Sequence, residues 1–157
     1  MKTILIVVGK TADRNITAAI DDYVGRIRHY IPFELVVLPD LRNNRNMTFD
    51  QQKAREGEMI LREIQPGDVV VLLDEAGKEM TSRGFASWFG HKSGIVARRL
   101  VFVIGGPYGF SPDVYAAAVE RLSLSRMTFS HQMVRLIFVE QLYRAMDILN
   151  GGPYHHD

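Results

Sequence analysis

Cysteine is absent from all 157 residues. That excludes a disulfide framework, thiolate metal sites and a thiol nucleophile. It also fits a reducing compartment, so a cytoplasmic location is expected. No excess of one charge is present either. Nineteen basic residues against 18 acidic ones leave a formal net charge of +1, so no overall basic field announces nucleic acid. Long apolar runs are missing too. The stretch from Met1 to Gly9 holds one lysine and a five-residue apolar run, too short for a signal peptide or a membrane span, and no membrane role is expected. There are no internal repeats, low-complexity stretches or linkers, and the length suits one domain spanning 1–157. Two phosphate-binding signatures fail as well. Gly9-Lys10-Thr11 follows an apolar run as a Walker loop would, but the glycine required five residues earlier is Ile4. Gly105-Gly106-Pro107-Tyr108-Gly109 is not G-x-G-x-x-G, and no acid follows about twenty residues on at a strand end, which disfavours a dinucleotide fold.

What is present alternates between two periodicities. Thr3–Val8 is a continuous apolar run ended by Gly9, the pattern of a strand buried on both faces, and Phe33–Leu38, Val69–Leu73 and Leu100–Ile104 read as further strands. Between them lie helical patterns: Asp13 to Tyr30, stopped by Pro32; Thr48 to about Ile64, opened by a capping box with Gln51; and Thr81 to His91. Phe85, Trp88 and Phe89 on the last of these read as core or dimer packing before a cofactor box. Ser111 and Pro112 start a helix running to about Glu120, followed by a short strand over Arg121–Ser125. This alternation predicts an α/β sheet, mostly parallel and flanked by helices. Fourteen of the basic residues are arginine, the better bidentate phosphate ligand, although scattered arginines read first as solvated surface. The polar stretch from Pro39 to Met47, with Arg42 and Arg45, reads as a solvated connector, with an RNA-contacting arm as the alternative.

Three features stand out from this frame. Acids Asp74 and Glu75 follow the most apolar strand, where open α/β sheets place ligands, although acids there also serve as simple turn caps. The glycine loop 105–109 lets a ligand approach the backbone. Ser123-Leu124-Ser125-Arg126-Met127-Thr128-Phe129-Ser130-His131 is rich in hydroxyls and backbone donors, and it opens onto a helix from Met133 to Leu149 that is apolar on nearly every side. Such a helix must be buried by its own sheet and by a further partner. Its polar residues, Arg135, Glu140 and Arg144, therefore need a reason. Glu140 and Arg144 have i,i+4 spacing and read as a structural ion pair. Ser130 is placed to cap the helix, and Gly151-Gly152 to end it.

Taken in order, Leu73-Asp74-Glu75-x-Gly77, Ile104-Gly105-Gly106-Pro107-x-Gly109, Ser123-Leu124-Ser125-x-Met127-Thr128-x-x-His131 with Arg135, Glu140-Gln141-x-Tyr143-Arg144-Ala145 and Pro153-Tyr154-His155 resemble the bacterial ribosomal RNA large subunit methyltransferase H family along the whole chain. The resemblance implies a SPOUT-class enzyme that uses S-adenosylmethionine to methylate N3 of a pseudouridine in 23S ribosomal RNA of the large subunit or assembled ribosome. It implies a homodimer, and a deep trefoil knot from about residue 69 onward, an exception to the rule of unknotted chains. It implies a cofactor site lined by Leu73, Gly105, Gly106, Gly109, Leu124, Ser125, Arg126, Met127, Thr128 and Phe129, with no metal. His155-His156 lacks a third ligand.

Methyl transfer to N3 needs loss of its proton. A cation near the flanking carbonyls would favour the anion. Arg135, His155 and, behind them, His131 are the candidates. Tyr154 would stack on or hydrogen-bond the base as residues 153–157 close over the site. The alternative is that this tail packs against the dimer partner. Rival functions are a ribosome-associated assembly factor that holds the cofactor without turnover, and a SPOUT enzyme acting on transfer RNA.

Overall fold

The computed structural model describes residues 1–41 and 45–157. Of the expected arm, Arg42, Asn43 and Asn44 lie outside the described residues. The chain runs β1 (Lys2–Val8), α1 (Arg14–Arg28), β2 (Phe33–Leu38), α2 (Phe49–Glu63), β3 (Val69–Glu79), α3 (Ser82–Ile95), β4 (Arg99–Ile104), α4 (Pro112–Ala117), β5 (Glu120–Ser123) and α5 (Met133–Leu149). The five strands form one sheet in the order β2-β1-β4-β3-β5. Every pairing is parallel. Parallel strands need crossovers, which place helices on both faces.

Period-two alternation divides the core accordingly. Leu5, Val7, Val71, Leu100, Phe102 and Ile104 face one way and pack with Ile20, Val24, Ile27, Phe85, Phe89, Phe138 and Leu142 of α1, α3 and α5. Ile4, Ile6, Val8, Val70, Leu72, Val101 and Val103 face the other way, against Ile60 of α2 and Val114 of α4. Strands covered on both sides are apolar nearly throughout, as β1 and β4 are, whereas the edge strand β2 carries Glu34, ion-paired with Lys2 at 2.8 Å.

The caps follow the sequence. Asp13 accepts from Asn15 and Ile16, Thr48 and Gln51 form the reciprocal box, and the Ser111 hydroxyl accepts from Val114 N. The Ser130 hydroxyl accepts from Met133 N at 3.1 Å. At the far end of α5, Gly151 adopts φ 71°, with Gly151 N donating to Ile148 O and Gly152 N to Asp147 O. This pairing satisfies the last carbonyls of the helix.

Three boundaries differ from expectation. β3 does not end at Leu73 but continues to Glu79, because after an irregular stretch it pairs with β5 again through Lys78 and Glu79. Helix α3 continues past His91 to Ile95, where the Ser93 hydroxyl donates to the Phe89 carbonyl. Helix α4 ends at Ala117 rather than near Glu120, because Val119 N already donates to Val70 O and starts β5 early.

Candidate functional site

The carboxyl ends of β4 and β5 and the irregular middle of β3 converge on a cavity of about 440 Å³, within the range of small-molecule sites. Its wall is built from Leu73, Asp74 and Glu75 in the irregular middle of β3, Ile104 at the end of β4 with Gly105 to Pro107, Gly109 and Phe110 after it, Tyr115 of α4, and Leu124, Ser125 and Met127 to His131 before α5, closed by Val134. Open parallel sheets bind ligands at this edge because the loops leaving adjacent strands part there.

Each loop is held by local chemistry. Ser123 Oγ donates to the carbonyl of Ser125, and Ser125 Oγ accepts from Met127 N, both at 3.0 Å, so the hydroxyl loop is braced by its own side chains. In the glycine loop, Gly109 N donates to Gly106 O, closing a turn with Gly109 at φ 85°. A Cβ on Gly105 would meet the Phe110 ring at 2.9 Å, and one on Gly106 would meet the buried Glu56 carboxyl at 2.5 Å. The loop therefore lies as close to α2 as backbone alone permits. Burial raises the pKa of Glu56 above the usual carboxylate range, with Asp40 adding to the rise.

Asp74 is fixed at the edge of the cavity. One oxygen accepts from Ala76 N at 3.1 Å, and the other from the Tyr115 hydroxyl at 2.8 Å. Burial and this bond both raise the Tyr115 pKa. Asp74 thus caps a turn and offers an acceptor to the cavity at once, so the two readings of the strand-end acids coexist. Gly77 makes the arrangement possible. A Cβ there would lie 2.7 Å from backbone atoms of Arg121 and Leu122.

The expected cofactor set comes together with one exception. Leu73, Gly105, Gly106, Gly109, Leu124, Ser125, Met127, Thr128 and Phe129 all line the cavity. Arg126 does not. Its side chain is 87% exposed and points toward Glu79, 3.6 Å away. The loop bends at Arg126 and Met127, and Arg126 takes the solvent side.

The three expected catalytic residues lie elsewhere. Arg135 is 2% exposed. Its guanidinium donates to the carbonyls of Val8 and Gly9 at 2.7 Å, to Thr11 Oγ1 at 2.9 Å and to the carbonyl of His131 at 3.1 Å. It ties the end of β1 to the start of α5 and is absent from the cavity wall. Burial lowers its pKa, countered in part by Asp40.

Tyr154 and His155 are anchored on the helices of their own chain. Tyr154 N donates to Asp147 Oδ2 at 2.9 Å, and its hydroxyl meets Glu140 Oε1 at 3.0 Å and the Tyr23 hydroxyl at 3.1 Å. Burial is the first cause of its raised pKa, followed by these two bonds. Arg144 bonds Glu140 at 2.6 Å and lies 3.0 Å from His155 Nδ1. Arg83 Nε–H is shared between the two carboxylate oxygens of Asp157, at 2.7 and 2.9 Å. The i,i+4 pair of Glu140 and Arg144 is thus the foundation on which the tail rests. Among the three proton-handling candidates, only His131 lines the cavity. Tyr115 and Phe110 were not singled out by sequence: Tyr115 lies on a short helix, and Phe110 follows the glycine loop with nothing in its local pattern to mark it.

Among the described residues no group of three or more His, Cys, Asp or Glu could hold a metal ion. No helix among them is long and apolar enough to cross a membrane.

Comparison with known proteins bears on what this cavity serves. A family model described as "Predicted SPOUT methyltransferase" matches residues 1–155. The chain is 61% identical over 157 residues to a protein of Bacteroides fragilis, 60% over 157 to one of Phocaeicola vulgatus, and 53% over 157 to one of Porphyromonas gingivalis. Both chains are covered in full each time, and all three relatives are named ribosomal RNA large subunit methyltransferase H. A match along nearly the whole chain, together with a parallel sheet whose strand-end loops enclose a cavity, identifies the chain as a member of the SPOUT methyltransferase family.

Proposed function

We propose that the cavity binds S-adenosylmethionine and that the protein methylates N3 of a pseudouridine in 23S ribosomal RNA, presented on the large subunit or the assembled ribosome. The observation that carries this reading is the meeting of the glycine loop and the hydroxyl loop on one cavity, in a chain alike over its full length to proteins named for ribosomal RNA methylation. The residues present suit such a donor. Leu73, Ile104, Leu124 and Met127 offer apolar walls to an adenine ring, Gly105 and Gly106 bring bare backbone, and Asp74 supplies an acceptor for hydroxyls. When bound, the sulfonium group supplies an activated methyl, so the protein needs neither a metal nor a nucleophilic side chain.

The chain's own task is alignment and proton removal. Because His131 lines the cavity, this reading gives it the proton-acceptor role in place of His155, and the place near the flanking carbonyls in place of Arg135. Arg135 becomes a positioning residue that fixes the helix start carrying His131. Tyr154 and His155 act on substrate only from a neighbouring copy. The homodimer in this reading is supported by Met133 and Leu149, exposed at the two ends of α5, and by half-buried Leu136, Ile137 and Ile148 between them. The trefoil threading of residues from 69 onward and a single domain over 1–157 belong to the same reading, as does a cytoplasmic location, where ribosomes are found.

Incubation with labelled S-adenosylmethionine and ribosomes tests it. Label in 23S RNA at a pseudouridine N3 is the expected result. Particle binding without label would support an assembly factor instead, and label in purified transfer RNA would shift the substrate. Deleting residues 153–157 is expected to abolish turnover while leaving cofactor binding intact.

A further inference from the structure

Phe49 and Tyr108 stack at the rim of the cavity, with ring centroids 4.0 Å apart and planes within 20°. Neither ring is buried. Phe49 is 62% exposed and Tyr108 41%. Phe49 is the first residue of α2, and Tyr108 stands at the tip of the turn that Gly106 and Gly109 close. Its chain neighbours Pro107 and Gly109 both line the cavity, so the stacked pair lies one residue from the wall. One face of Phe49 is covered by Tyr108, so an exposure of 62% leaves the other open to water.

The fold does not require this pair. The turn needs its glycine at φ 85°, not an aromatic at its tip, and α2 is already capped by Thr48 and Gln51. An open aromatic face suits a flat π-surface, and the substrate of the proposed reaction offers one. Enzymes that act on a base take it out of its stack, which deprives the flanking bases of a neighbour. Aromatic side chains replace that neighbour with little regard to sequence. The surroundings suit a polyanion. Arg45 lies four residues before Phe49, and Lys53 lies one turn after it on the same side of α2. Lys53 is only loosely held by Asp50, 3.5 Å away.

We propose that the Phe49–Tyr108 pair is a stacking platform for an unpaired RNA base adjacent to the one being methylated. The proposal rests on the RNA methyltransferase reading. Its test uses the full chain with Phe49→Leu, Tyr108→Leu and Phe49→Trp variants. Leucine keeps apolar bulk and removes the ring.

Three quantities are measured: S-adenosylmethionine affinity by calorimetry, methylation kinetics on ribosomes, and binding of a deproteinised 23S RNA fragment spanning the methylated site. For each leucine variant, KM for ribosomes and Kd for the fragment should rise about tenfold, with kcat and cofactor affinity held. Phe49→Trp, which keeps an aromatic face, should leave both at wild-type values. Unchanged KM and Kd would overturn the platform. So would a raised ribosome KM with unchanged fragment binding, which points to a protein contact, and so would a loss of cofactor affinity, which makes the pair a brace for the glycine loop. If wild-type protein transfers no methyl to RNA, the functional reading itself fails, a result distinct from all of these.

Discussion

Arg135 shows how a single residue can attract two readings. A lone cation on an apolar helix beside a hydroxyl loop suggests catalysis. In place, its guanidinium satisfies buried carbonyls of Val8 and Gly9 and the part-buried carbonyl of His131. Arg135→Ala would leave those acceptors without donors and is expected to destabilise the fold by about 3 kcal/mol or more, measured by urea unfolding. Asp157 offers a sharper reading. The Arg83 hydrogen bonds, and then His155, lower its pKa from 3.8 to about 2. Because the folded pKa lies below the unfolded one, this contact favours the fold above pH about 3.8, and its contribution is lost as pH falls through about 2. A carbon-detected NMR titration should find the Asp157 carboxyl midpoint near 2, and Arg83→Gln should move it back toward 3.8.

At the scale of elements, the informative piece is β3. Sequence reading ended it at Leu73, where the apolar run stops. The strand goes on because β5 is paired twice. Leu73 and Lys78 both oppose Leu122, and the intervening residues bulge toward the cavity. Gly77 allows this, since its Cα rests on the backbone of β5. Gly77→Ala places a methyl 2.7 Å from atoms that cannot rotate away. The expected loss is about 1–3 kcal/mol of stability. Because Leu73, Asp74 and Leu124 all border the displaced segment, S-adenosylmethionine affinity should also fall. Thermal unfolding and calorimetry on one preparation test both effects, and unaltered cofactor binding would separate the bulge from the site. Strand propensity could not reveal this element, because a Gly-containing acidic stretch has none.

For the whole molecule, α5 sets the organisation. It packs between α1 and α3 on one face of the sheet, burying Phe138, Val139, Leu142, Ala145 and Met146. Yet it keeps apolar side chains half-covered on its other flank, with Met133 and Leu149 exposed at its ends. A second copy of the chain is the expected cover. Sedimentation equilibrium should return about twice the 17.8 kDa chain mass at micromolar concentration. Met133→Asp should shift the distribution toward the single chain, because a buried charge at an apolar interface is not compensated. A chain that sediments as 17.8 kDa at every concentration would remove the dimer, and with it any action of Tyr154 or His155 on a neighbour's cavity.

Patterns of short range were open to sequence reading. Apolar runs located four of the five strands, capping residues located the helix starts, and glycine and serine loops named nearly all of the cavity wall. These follow from local sterics and hydrogen bonding, which a few neighbouring residues decide. The direction of side chains and the pairing of distant segments were decided only by tertiary structure. Arg126 turns outward, Arg135 reaches back across 126 positions to Gly9, and β3 finds β5 a second time. Each outcome depends on which backbone groups the fold leaves without water, and that is a property of the packed chain, not of any stretch of it.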